Sequence, residues 1–157
     1  MTENTGTFRP LEDDARRLFG PVALIVCGHN TAEQTRLLQI LAQNGLGSLP
    51  MLFATATLAD RTLRELATMP HATGQNETPG TTRAIVVAGV TEATLHHVMR
   101  AHREAGLAQA LWAALTPANA DWTLRFLLQE LGREREALRL AMHQAAEAAT
   151  GPHPAPG

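Results

Sequence analysis

Two short apolar runs, ALIVC at 23–27 and AIVVA at 84–88, set the pattern of the chain. Both are continuous rather than alternating and rich in branched residues, which suits strands covered on both faces. Gly28 or Gly89 ends each run, and apolar positions then recur at helical spacing: Leu37, Leu38 and Leu41 in one stretch, Leu95, Val98 and Met99 in the other. Thr31 and Thr91 are placed to cap these helices. Gly45-Leu46 and Gly106-Leu107 close them, because glycine takes the left-handed C-cap freely and the leucine can fold back on the last turn. A second apolar run follows, MLFAT at 51–55 or LWAALT at 111–116, and a second helix is expected from near Asp60 or Asp121. The chain reads βαβα twice.

The two units align without a gap at a shift of 61 positions, residues 23–66 on 84–127, with 13 of 44 positions identical. Matched glycines and matched turn residues together mark an internal duplication. The pattern T-x-x-x-A-D-x-T-L-R-x-L occurs at 55–66 and again at 116–127. Local physics predicts its parts. Asp60 and Asp121 meet the positive end of a helix dipole, and Arg64 and Arg125 lie four residues on, in reach of a local ion pair. Asn119 is a good N-cap, and Leu63, Leu66, Leu124 and Leu127 face the core.

Strands joined through a helix are normally parallel. The expected fold is a small α/β domain with a four-stranded, mainly parallel sheet. A ferredoxin-like α+β arrangement is the alternative, because the linker between units could reverse the chain. The organisation expected is an N-terminal extension (1–20), a first unit (21–69), a polar linker loop (70–82), a second unit with a long C-terminal helix (83–149) and a tail (150–157). The linker, with its Gly and Pro, reads as mobile and the ends 1–10 and 150–157 as disordered. Residues 11–19 could form a short amphipathic helix. The last helix should run from Trp122 to about Ala148, with Leu124, Leu128, Leu131, Arg135, Leu138, Met142 and Ala145 at alternating spacings of four and three. That is a heptad seam interrupted by one Arg.

Composition narrows the chemistry. The 157 residues suit one domain, and the 45% apolar fraction supports a real core. A net charge of −2 gives no electrostatic case for nucleic acid or an anionic membrane, and the aromatic content of 4% leaves few stacking platforms for single strands. All 13 basic residues are Arg, and Tyr is absent. Lysine Schiff bases, a P-loop lysine and tyrosine chemistry are thereby excluded. GLGSLP follows a helix rather than a strand, so it is no phosphate loop. The one cysteine, Cys27, forbids an intrachain disulfide, and its neighbour His29 sits in poor geometry to activate it. His96, His97 and His102 lack the i,i+3 or i,i+4 spacing of a metal pair on a helix. No metal site, no cofactor and no catalytic residue is assigned. The N-terminus shows no signal-peptide pattern and no stretch reads as a membrane span, which leads to the expectation of a soluble cytoplasmic protein.

The second unit carries a resemblance. AIVVAGVTEATLHHVMRAHREAGL followed by AALTPANADWTLRFLLQELGRE resembles a bacterial family known as a domain of unknown function (number thirty-seven eighty-three), over roughly residues 82–140. That family shows a strand, a helix, then a strand ending in L-T-x-x-N-x-x-W-x-x-x-x-L-x-x-E-L. Leu115, Thr116, Asn119, Trp122, Leu127, Glu130 and Leu131 stand at the matching positions, whereas the first unit has Leu58 and Arg61 in place of the Asn and Trp. The resemblance implies a small bacterial protein with no established activity.

Two functional readings follow. The long seam and the lack of a nucleophile–base pair favour a non-enzymatic interaction or scaffold module, a homodimer contacting through Leu131, Leu138, Met142 and Ala145. A small-ligand-binding or enzymatic α/β domain would instead use the loops at the carboxyl ends of its strands. If all four strands were parallel, His29, Asn30, Thr55, Thr116, Asn119, Asp121 and Trp122 would share one edge.

Overall fold

The computed structural model describes residues 16–150. Its elements are β1 (Ala23–Cys27), α1 (Thr31–Gln43), β2 (Met51–Ala54), α2 (Leu63–Leu66), β3 (Ala84–Ala88), α3 (Glu92–Glu104), β4 (Leu111–Ala114) and α4 (Leu124–Thr150), with a 3-10 turn at Ala56–Leu58. The helix expected over 11–19 does not form in its described part. Residues 16–19 run alongside 89–92 instead, with Leu18 N–H donating to Val90 O and Gly89 N–H to Phe19 O. Residues 1–15 and 151–157 lie outside the described residues, and with them the expected disordered ends 1–10 and 150–157, except Thr150, which closes α4.

The sheet order is β2-β1-β3-β4. β1 pairs parallel with β2, and β3 with β4, as a helix crossover within each unit requires. β1 and β3 pair antiparallel, so the linker does reverse the chain and the sheet is mixed. Helices cover both faces, unlike the one-sided helices of a ferredoxin-like fold. On one face Leu24, Val26, Phe53, Ile85 and Val87 pack with Leu37 and Leu41 of α1 and Val98 and Ala101 of α3. On the other, Ile25, Cys27, Leu52 and Val86 pack with Leu63, Leu66, Leu115, Leu124 and Leu127. Complete burial of a side chain such as Leu37 or Leu41 contributes about 1.5–3 kcal/mol each.

The β1–β3 register carries a symmetry. Ile25 sits opposite Val86, its own counterpart in the repeat, so a two-fold axis relates the units through this pair. The repeated motif lies on the same axis. Thr62 bridges Thr123; Leu63 N–H donates to Trp122 O while Leu124 N–H donates to Arg61 O; Arg64 N–H donates to Ala120 O while Arg125 N–H donates to Ala59 O. Every contact has its mate. The expected local pairs of Asp with the Arg four residues on are therefore replaced by exchanged ones: Arg64 binds Asp121 at 3.0 Å, and Arg125 binds Asp60 at 2.9 Å. The reason is where the helices begin. They start at Leu63 and Leu124, capped by Thr62 and Thr123, so each Asp lies upstream of its helix and faces the other unit.

Gly28 and Gly89 record the same symmetry. Both take left-handed backbone, φ +76° and +72°. A Cβ on Gly28 would lie 2.4 Å from Thr82 O, and one on Gly89 2.5 Å from the Pro21 carbonyl carbon, because the chain entering one unit crosses the first strand's end in the other. The linker is tied down rather than free. Ala72 N–H donates to Met51 O, Phe53 N–H to Thr73 O, and Met51 N–H to His71 Nδ1, so residues 71–73 cover the outer edge of β2.

Candidate functional site

The turn at Gly28 swings His29 back over its own strand. Nδ1 of His29 lies 2.9 Å from Cys27 O. A carbonyl only accepts, so Nδ1 carries the proton, and neutral His29 presents Nε2 as an acceptor. Nε2 of His102, on α3, lies 3.1 Å away and donates to it. The chain of bonds fixes both tautomers. His102 also stands edge-on between His29, at a centroid distance of 5.3 Å, and Trp112 of β4, at 5.5 Å.

Both rings are buried, at 1% and 3% exposure. Burial disfavours the imidazolium, pushing His29 below its ordinary value and His102 down to about 4. The nearby Arg83 guanidinium pushes both the same way. Arg83 donates to Glu33 at 2.9 Å in a half-buried pair. Burial pushes the Glu33 carboxyl up, but the bonds from Arg83 and from Asn30 N–H outweigh it and hold the group below the usual carboxylate range. Buried Gln34 donates to His29 O and accepts from Asn76 N–H, tying the linker to this cluster.

Arg83 Nη1 is the one buried side-chain nitrogen or oxygen among the described residues that lacks a partner. The second ring nitrogen of His102 makes no hydrogen bond there either, so it is not sealed in. His102 lines a cavity of about 370 Å³ with Met99, Arg103, Leu107, Gln109, Ala110 and Trp112. With Nε2 protonated, that nitrogen is an acceptor. The arrangement can hold a neutral ligand donor against His102; it holds no nucleophile. Cys27 is buried, its thiol pushed up to about 12 by desolvation.

The strand-end set divides. His29, Asn30 and Thr55 follow β1 and β2, whereas Thr116, Asn119, Asp121 and Trp122 follow β4, which runs the opposite way; the fully parallel sheet that would unite them does not form. Asn30, rather than Thr31, caps α1 in a reciprocal box with Glu33. Thr55 bonds Thr57. Asn119 is no helix cap: it accepts from Thr116 N–H, donates to Ala114 O and gives its N–H to Thr116 Oγ1, closing a turn on itself. Asp121 is held by Arg64, and Trp122 packs on the core and on Phe126. No cluster of three potential metal ligands occurs among the described residues.

Spacing within one element could not disclose His102, because its partner lies 73 positions away. The repeat held the signal. His29 aligns with Val90 and His102 with Leu41, both buried in the core. The two places where one unit sets His against an apolar counterpart are the two that meet.

Residues 83–138 match a family model described as a domain of unknown function (DUF3783). The matched segment spans β3, α3, β4 and the first half of α4. It contains Arg83, His102 and Trp112, while His29, Glu33 and Gln34 come from the other unit. The chain matches no curated protein and no solved structure.

Proposed function

We propose that this chain is a non-enzymatic interaction module of the bacterial cytoplasm that self-associates through the second half of α4. One observation carries the reading. The apolar stripe of α4 starts on its own sheet, with Leu124 buried and Leu128 and Leu131 packed on the core, then continues into solvent. All residues from Gly132 to Ala149 are exposed, including Leu138 at 61% and Met142 at 62%. A helical half of this length with no tertiary cover is marginal in water unless something packs on it. The stretch carries three Arg and three Glu, so it sets no single-sign field against a second copy. The buried, unpaired Cys27 suits a reducing compartment. No helix among the described residues is long and apolar enough to cross a membrane.

Sedimentation of the full chain at micromolar concentration tests the proposal. The expected result is a dimer that Leu138→Glu with Met142→Glu converts to a folded monomer. A monomeric parent, or a dimer indifferent to both substitutions, would refute it.

Small-ligand binding is the second reading, favoured by the unused His102 nitrogen and the cavity that His102 lines. Of the strand-end residues, only His29 connects to that cavity, through its bond to His102. A saturable change of Trp112 fluorescence in a Trp122→Phe background, on titrating small hydrogen-bond donors, supports this reading; no change across a broad panel refutes it.

A further inference from the structure

The outer edge of β4 pairs with no strand or loop backbone among the described residues, only the Asn119 side chain reaching Ala114 O at its far end, and the symmetry of the fold shows how unusual that is for this chain. In the first unit the matching edge of β2 is covered by residues 71–73 of the linker. In the second unit α4 continues straight where the first unit turns back, so no segment among the described residues returns along β4. Leu111 and Leu115 give their N–H groups to Arg83 O and Val87 O of the β3 side. By the alternation of a strand, Trp112 and Ala114 direct their N–H groups outward. Natural edge strands are blunted by charge, proline or a bulge. The sequence of β4, LWAA, has no charge and no proline.

Cavities flank this edge on both faces of the sheet. On the α3 side lies the space of about 370 Å³ between Met99, His102, Leu107 and Trp112. Against α4 lies one of about 240 Å³ between Leu111, Leu131 and Leu138. Between them a third, of about 480 Å³, opens beside Ala110, Leu111 and Arg135. An added strand sends alternate side chains to opposite faces, and that is where these spaces are.

We infer that β4 pairs antiparallel with β4 of a second copy, about a two-fold axis near Trp112, making one eight-stranded sheet. The inference rests on the reading of self-association above and assigns it a strand as well as a helix. Three observations select a second copy as the occupant. The repeat already associates with itself in this way inside the chain, antiparallel strand to antiparallel strand about a two-fold axis. Leu111 and Trp112 of a second β4 bring large apolar groups to the flanking spaces. The free half of α4, which begins beside the same edge, would pack across the same axis and bury Leu138 with its counterpart. A closed two-fold contact satisfies both surfaces at once.

Hydrogen exchange on the unmodified full chain is the first test, read at the amides of Trp112 and Ala114 across a dilution series. The expected result is protection at high concentration that fades as the species halves in mass. The second is Ala114→Pro. Proline is tolerated on an edge strand where the lost N–H faces out, so the monomer fold is kept while the pairing is blocked. A monomer with an unchanged circular dichroism spectrum is expected. Two results overturn the inference separately. If the dimer survives Ala114→Pro and the two amides exchange freely within it, while the α4 substitutions still dissociate it, the strand pairing is wrong and the helix contact stands. If the parent is monomeric throughout, with both amides open, the strand pairing and the helix contact both fail. Should Ala114→Pro not fold, the exchange measurement on the parent still decides.

Discussion

The His29–His102 contact gives this domain a defined sensitivity to acid. His102 is neutral and 3% exposed, with its value lowered from 6.5 to about 4. In the unfolded chain it takes up a proton near its ordinary value; in the fold it resists until about pH 4. Below pH 6.5 the unfolded state therefore binds more protons, and stability falls as pH falls. At about 1.4 kcal/mol per pH unit, the loss from His102 reaches about 2 kcal/mol by pH 5 and about 3 kcal/mol by pH 4. His29 shifts in the same direction and adds to it. The depressed carboxylates of Glu33, Glu65, Asp60 and Asp121 act only as pH falls through the carboxylate range, so the interval from about pH 6.5 to 5 isolates the imidazoles. The comparison variant is supplied by the repeat itself: His29→Val with His102→Leu installs the apolar residues found at the matched positions. Replacing both partners of a buried hydrogen bond by apolar groups is nearly neutral, whereas His102→Leu alone orphans His29 Nε2 and costs about 1–3 kcal/mol. Urea unfolding of parent, single and double variants between about pH 7 and 5 should show a slope in the parent that the double variant lacks. Equal slopes in parent and double variant would refute the neutral buried pair.

Other outcomes follow from the seam and from the turns. Asp121→Arg should lower the thermal midpoint, and Arg64→Asp added to it should restore part of the loss. Arg125→Asp added instead should restore nothing, because the pairs are exchanged between units rather than local to a helix; the opposite ranking would restore the local reading. Asn119→Ala should cost about 1–3 kcal/mol in urea unfolding, because it removes two side-chain hydrogen bonds of a mostly buried turn. A change within error would mean that water replaces them.

Much of this architecture is legible in the sequence, for stated reasons. Continuous apolar runs marked all four strands, and Gly45 and Gly106 marked the ends of two helices because only a left-handed residue closes them so. The direction of β3 was not legible. A thirteen-residue linker can return the chain either way, and only the packed result decides. The partner of each Asp was hidden for a related reason: Arg four residues on and Arg in the other unit are the same residue type, and the choice depends on a helix starting at Leu63 rather than Asp60. Asn30 caps in place of Thr31 because Glu33, three residues on, completes a reciprocal box with it.

Since each half lends its motif to the other, the contact between the two units is built as an interface between two separate molecules would be, with a peptide joining them. Residues 70–82 act as a tether, setting the concentration at which one half meets the other. Cleaved within that tether, the two fragments would become separate molecules whose reassembly obeys mass action, and dilution would do what denaturant does to the intact chain. Fragment 83–150 would then carry its own exposed β3, LWAA edge and α4, and its first available partner at high concentration would be another fragment like itself.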